Sequence, residues 1–273
     1  MKDKATSHKQ LKAASGIGET VRTIVYALLI ALFVRTFAYE PFNIPSGSMI
    51  PTLLIGDYLF VSKFSYGYSR YSFPFWAPPF SGRILGRQPQ RGDVIVFKWP
   101  GDNSTDYIKR LVGLPGDRIQ VTGGTLYVNG VPAKRAWVGK FVDEESGSSA
   151  ERQQFEEVLP NGVRHPILLN EVEDRPPPKD CPVNTFARGP ISAENTCVYV
   201  VPQDMYFMMG DNRDNSADSR ISVNERGVGF VPAENLVGRA EFIFFSSNGS
   251  ASWWEIWKWP SAIRYDRLFK AIR

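Results

Sequence analysis

The run Ile24 to Val34, IVYALLIALFV, is apolar throughout except for the hydroxyl of Tyr26. As a helix it would rise only ~16 Å, about half of the ~30 Å hydrocarbon core of a bilayer. Taken alone it fits a signal-peptide core, a buried helix or a short anchor. Arg22 and Arg35 bracket it and can snorkel toward headgroups, so residues 21–38 can span a thin or locally thinned bilayer. Thr36-Phe37-Ala38 is a poor small-x-small cleavage site, which favours an uncleaved signal-anchor helix over 21–38. The tail before it, residues 1–20, holds Lys2, Lys4, Lys9 and Lys12 against Asp3 and Glu19. The positive-inside rule then puts the N-terminus in the cytoplasm and everything past residue 40 outside.

Beyond Pro41 the chain reads as short strands punctuated by turns, with plentiful Gly and Pro, which indicates a mainly β protein. Strand-like runs occupy Asp57–Ser62, Asp93–Trp99, Cys197–Val201 and Gly238–Phe245. Arg118–Val131 reads as two strands folded back at Gly123-Gly124 and ending at the Asn129-Gly130 turn. The stretch 138–197 holds an acidic, Ser-rich segment (143–149) and a Pro-rich one (175–180), and reads as an insertion of loops. The expected architecture is an antiparallel, barrel-like main body from 39–117 and 199–273. A β-rich cap region, 118–198, is inserted into it, and a single transmembrane helix precedes it.

Several function classes find little support. The net charge of +4 is mild, and no Lys/Arg stripe is interleaved with aromatics, so nucleic acid is an unlikely partner class. Cys181 and Cys197, the two cysteines present, have neither CxxC spacing nor neighbouring histidines, so no metal site is expected. They are either free thiols or one disulfide, and an extracytoplasmic location favours the disulfide. The two histidines, His8 and His165, lie in a Lys-rich tail and an irregular stretch and read as solvated. With so few histidines, a Ser-His-Asp triad has almost no material to work with. Two aromatic clusters, Tyr66–Phe80 and Trp253–Trp259, suit either core packing or docking at a membrane interface.

Three segments carry chemistry. In Pro45-Ser46-Gly47-Ser48-Met49-Ile50-Pro51, two serines flank a glycine between prolines, a rigid turn on which a hydroxyl can meet a substrate carbonyl. In Asp106-Tyr107-Ile108-Lys109-Arg110-Leu111-Val112, a lysine sits among apolar residues. Burial would strip its proton, because desolvation disfavours the charged form, and free its amine to act as a base. Gly210-Asp211-Asn212-Arg213-Asp214-Asn215-Ser216-Ala217-Asp218-Ser219-Arg220 is a dense polar loop. Its two arginines and missing terminal Glu argue against an EF-hand and for an internal ion-pair network, such as Asp218 with Arg220.

With the strings PSGSMIPTL, RGDVIVFK, DYIKRLVGLPGD and GDNRDNSADSR in this order behind an anchor, the chain resembles the bacterial type I signal peptidases (leader peptidases) over most of 20–133 and 199–245. The resemblance implies a serine endopeptidase with Ser48 as nucleophile and the neutral amine of Lys109 as general base. Ser216 would hydrogen-bond and orient that amine, Asp218 and Arg220 would brace the site, and Ser46 with the backbone N–H of Ser48 would form the oxyanion hole. Phe42, Ile44, Pro45, Met49, Leu53, Val96, Tyr107 and Ile108 would line shallow pockets for Ala-x-Ala sequences. No cofactor is implied. The implied partners are exported preproteins, membrane lipids and the secretion translocon, and the implied location is the bacterial plasma membrane with a periplasmic catalytic domain. A specialised processing peptidase of the same superfamily, or an inactive membrane-tethered adaptor, are the alternatives. The sequence departs from many relatives in placing residues 221–228 between Arg220 and Gly229-Phe230-Val231-Pro232, and in showing one apolar span instead of two.

Overall fold

The computed structural model describes residues 3–73, 80–142, 151–170, 181–187, 192–252 and 254–273, with helix side chains from Gly18 onward. His8, Trp76, Trp253, the acidic segment 143–149 and the Pro-rich segment 175–180 lie outside the described side chains or residues. Helix α1 runs from Asp3 to Phe37 and ends in an apolar stretch, Gly18–Phe37, long enough to cross a membrane. Only 6% of that stretch is buried, and Ile24, Leu28, Ile30 and Phe33 all face outward. A helix apolar on all sides needs lipid or a partner around it. The helix begins far ahead of the expected 21–38 span, because the tail holds four Lys and three Ala, which favour helix.

The rest is mainly β. Strands β1 (Tyr39–Asn43), β2 (Asp57–Ser62), β3 (Val94–Lys98) and β4 (Asp106–Gly113) come first. They are followed by β5 (Arg118–Thr122), β6 (Thr125–Val128) and β7 (Val131–Pro132). Next are β8 (Lys134–Val142), β9 (Glu151–Val158) and β10 (Arg164–Leu169). Last come β11 (Tyr199–Val200), β12 (Met205–Met209), β13 (Val231–Pro232) and β14 (Leu236–Ser246). A seven-stranded sheet in the order β1-β2-β14-β3-β4-β12-β13 forms the main body, with every pairing antiparallel. Strand β14 carries register shifts against both neighbours, and such bulges increase local twist and curl a sheet. A four-stranded sheet (β11-β5-β6-β7) and a three-stranded sheet (β10-β9-β8) complete the fold.

The core divides along these sheets. Ile44, Met49, Leu53, Leu59, Val61, Val94, Val96 and Ile243 pack on one face of the large sheet. Ile95, Phe97, Leu111, Met208 and Leu236 pack on the other, as the period-two alternation of β3 and β4 requires. Tyr199, Phe207 and Ile119 join the four-stranded sheet to β12. The stretch 138–197, whose composition marks loops, also carries strands, within the region 118–198 expected to be β-rich. It supplies β9, β10 and most of β8, and β10 is tied to the polar loop after β12: Leu168 N–H donates to the Asp211 carbonyl at 2.9 Å, and Arg213 N–H donates to the Leu168 carbonyl at 3.0 Å.

Candidate active site

Ser48 lies in a short 3-10 turn, Gly47–Met49, directly after β1. Lys109 lies on β4 opposite Ile95 of β3, and its long side chain reaches the turn. The Lys109 amine sits 2.7 Å from Ser48 Oγ and donates to the Ile108 carbonyl at 3.0 Å. The lysine is only 4% exposed. Burial pulls its pKa down from the usual 10.5; Asp218 and then Asp211 pull it back up, and the balance is about 8. An amine poised there supplies a neutral fraction near neutral pH, which free lysine does not. Ser46 Oγ stands 3.5 Å from Ser48 Oγ.

The polar loop after β12 holds the turn in place. Asn212 N–H donates to the Ser48 carbonyl at 3.1 Å and its side-chain amide to the Gly47 carbonyl at 2.9 Å. Asp218 and Arg220 form a buried bidentate pair at 2.9 and 2.8 Å, and Asp218 also accepts from Gly210 N–H at 3.0 Å. Burial raises the Asp218 carboxyl, but the Arg220 guanidinium outweighs it and holds the group below its ordinary value. Gly210 is a glycine for steric reasons: a Cβ there would lie 2.3 Å from Ser216 Oγ and 2.5 Å from the Ser48 carbonyl oxygen.

Ser216 does not make the expected bond. Its hydroxyl is buried without a hydrogen-bond partner among the described residues, tucked against Gly210, while the lysine amine is engaged by Ser48 and the Ile108 carbonyl. Nor do Met49 and Leu53 line the cleft. Both are fully buried in the core cluster that includes Leu59 and Val61, because the turn points them inward. The cleft itself, about 550 Å³, is lined by Phe42, Ile44, Pro45, Val96, Tyr107 and Ile108, and it reaches Ser46, Ser48 and Lys109. Along it runs half of β4. The ladder to β12 begins at Arg110, so among the described residues 106–109 have a strand partner only on the β3 side.

Behind Lys109, its chain neighbour Arg110 points to the opposite face and anchors a cluster that sequence reasoning missed. Arg110 donates to both carboxylate oxygens of Asp211, at 2.8 and 2.7 Å, and Thr52 donates to the same carboxylate at 2.5 Å. Burial raises the Asp211 carboxyl, and Arg110 overrides it to leave the group well below the carboxylate range. His165, expected in solvent, is 2% exposed and lies between Asp211 (3.3 Å) and Glu157 (3.1 Å), with neither contact aligned as a hydrogen bond. Glu157 in turn is bound by Arg213 through two bonds. The available signal was the alternation in RHPILL, which puts His165 on the same side of β10 as Ile167 and Leu169, both buried. Cys181 and Cys197 are joined in a disulfide, with Cα atoms 5.5 Å apart. No group of three or more His, Cys, Asp or Glu able to hold a metal occurs among the described residues.

The extra residues 221–228 leave the polar loop intact. They form a closed loop whose two ends both return to Asp218: Ile221 N–H and Val228 N–H donate to its carbonyl at 3.0 and 3.1 Å. Trp99 Nε1 fastens the loop by donating to the Gly227 carbonyl at 2.8 Å, and Val228 is fully buried.

Comparison with known proteins places this geometry in context. The model of the family described as "Signal peptidase, peptidase S26" matches residues 17–245. The protein named Signal peptidase I of Rickettsia conorii is 39% identical over 269 residues, 92% of this chain and 91% of its own length. That of Rickettsia typhi is 37% identical over 280 residues, 96% of each chain. A crystal structure of a signal peptidase I from Enterococcus faecalis is 27% identical, covers 56% of this chain and 97% of its own, and superposes with a TM-score of 0.29.

Proposed function

Since the chain belongs to the signal peptidase family, peptidase S26, it is a serine endopeptidase, and we propose that it removes leader peptides from exported preproteins through a Ser48–Lys109 dyad. The contact between the Lys109 amine and Ser48 Oγ, inside an apolar surround, carries this reading. The neutral amine takes the Ser48 proton as Oγ attacks the scissile carbonyl, and returns it to the leaving amine. Water, deprotonated by the same amine, then hydrolyses the acyl-enzyme. Ser46 and the Ser48 N–H face the developing oxyanion, where one good donor is typically worth ~3 kcal/mol. Asp218 and Arg220 brace the loop that supports the turn.

The unpaired edge of β4 at 106–109 accepts the substrate as an added strand, so that alternate side chains enter the cleft. Its floor of Ile44 and Val96 is apolar and closely packed, which suits small side chains in the Ala-x-Ala pattern. The helix α1 anchors the enzyme with its N-terminus in the cytoplasm and its catalytic body outside, in keeping with the basic tail and the disulfide. Exposed Trp254, Trp257 and Trp259 beside Lys258 and Arg264 suit an interfacial membrane contact. An inactive adaptor would have no use for a desolvated lysine against a serine hydroxyl, since burying that cation costs stability.

The test is cleavage of an Ala-x-Ala preprotein by the detergent-solubilised enzyme. Ser48→Ala should abolish processing while thermal unfolding stays near wild type. Processing by Ser48→Ala at the wild-type rate would end the proposal.

A further inference from the structure

A second cavity, about 400 Å³, lies between the end of α1 and the large sheet. Phe42 and Asp106 line both this cavity and the catalytic cleft, so the two adjoin one another. Its far wall is the last part of the apolar helix, at Leu32, Arg35 and Thr36. The charged groups around it are three cations and two carboxylates, each within reach of an opposite charge. Glu40 accepts from Arg35 at 3.1 Å and from Lys63 at 2.8 Å, and Lys98 pairs with Asp106 at 2.8 Å. A pocket for a small ion keeps unmatched charge for its ligand. Here the excess cation, Arg35, is 68% exposed, and the inner wall keeps two balanced pairs, Lys63 with Glu40 and Lys98 with Asp106, which suits an uncharged peptide chain.

The position of the cavity says which part of a substrate reaches it. Three steps of β4, from Lys109 to Asp106, span ~10 Å and align with about three substrate residues next to the cut. The chain beyond those residues passes Asp106 and enters the second cavity. An exported precursor carries an apolar core that favours the hydrocarbon layer, and the membrane-crossing helix forms this wall of the cavity and not the Ser48 end of the cleft.

We propose that the cavity between α1 and the catalytic sheet binds the polar stretch of the leader that joins its membrane-embedded core to the cleavage sequence, roughly the fourth to seventh residues before the cut. The anchor helix then serves as one wall of the substrate site, and it sets how far from the membrane a leader can be cut. The proposal rests on the leader-peptidase reading of Ser48 and Lys109.

Photocrosslinking tests it on the full chain in phospholipid vesicles. A preprotein carrying p-benzoylphenylalanine at the fifth or sixth residue before the cut is bound to Ser48→Ala enzyme, and the adducts are mapped by mass spectrometry. Adducts should fall on 32–36 or 71–73, and a probe at the fifth residue after the cut should give none there. Adducts from the downstream probe at these segments, or none from the upstream probe, would overturn the proposal. Kinetics supply a second arm. Filling the cavity with Thr36→Trp should raise KM about tenfold for the full preprotein and leave unchanged a short peptide that begins three residues before the cut. Equal changes for both substrates, or no change for either, would contradict it. Cleavage of the short peptide by the wild-type enzyme checks the underlying activity separately, so loss of adducts with that cleavage intact would sink only the cavity assignment.

Discussion

Lys109 and Arg110 are adjacent cations in one strand, both almost wholly buried, and the fold treats them in opposite ways. Arg110 faces a carboxylate that accepts two of its N–H groups, and its neighbourhood is crowded with further ion pairs through His165, Glu157 and Arg213. Lys109 has no carboxylate within ion-pair distance among the described residues; a serine hydroxyl and a carbonyl are its partners. Burial alone therefore does not decide what a cation becomes. With a matched counter-charge it is structural, and without one its proton is held more loosely and the amine becomes chemically useful. Alternation along β4 lets two neighbouring residues take these two fates, because it sends their side chains to opposite faces.

The comparison breaks first at Lys109. Lys109→Met should reduce kcat/KM by roughly 10⁴-fold or more, since it removes the base from a dyad that works as a unit. The same substitution should stabilise the fold at neutral pH. A lysine whose pKa falls from 10.5 to about 8 on folding destabilises the native state fully below pH 8, and the effect fades as pH rises toward 10.5. At about 1.4 kcal/mol per pH unit, the gain in Lys109→Met is on the order of 3 kcal/mol at pH 7, less what the lost Ser48 contact contributed. Chemical denaturation at pH 7 and pH 10.5 checks this: the gain should be larger at pH 7, and no gain at either pH would place the lysine in water.

On the other face the signs reverse. Arg110→Met leaves the Asp211 carboxylate buried without its main partner and should cost about 3–5 kcal/mol of stability, read by denaturant unfolding. A cost below 1 kcal/mol would mean that the pair is not desolvated. His165→Gln should cost less, about 1–3 kcal/mol, because Arg110 and Arg213 still hold the two carboxylates.

How much of this was legible in the sequence follows from the same contrast. Ser48, Lys109 and the 210–220 loop stand out because chemistry concentrates unusual residues in short strings, and β2 is legible to the residue because Asp57 and Ser62 bound a run of four aromatic and aliphatic residues, 58–61. The sheet of β8, β9 and β10 was not legible. Lys134–Val142 and Glu151–Val158 are charged and mostly half or fully exposed, so little apolar alternation marks them as strands. His165 was misread because its partners, Glu157 and Asp211, come from a neighbouring strand and a distant loop, and a buried ion cluster is visible only when those elements meet. Met49 and Leu53 were placed in the cleft because the turn's direction is set by its docking onto the core.

Ser216 carries the smallest expected effect and sharpens the contrast most finely. Its buried hydroxyl has no partner, so Ser216→Ala should leave unfolding within about 0.5 kcal/mol of wild type. If the hydroxyl turns to the lysine amine when substrate fills the cleft, kcat should fall about tenfold, corresponding to one neutral hydrogen bond. An unchanged kcat would remove Ser216 from the machinery.

The most direct test of Lys109 as a base is the pH dependence of kcat/KM on an Ala-x-Ala preprotein. The rate should rise with pH on a limb centred near 8, where the amine loses its proton. A limb near 10.5, the value of a lysine in water, would contradict the account.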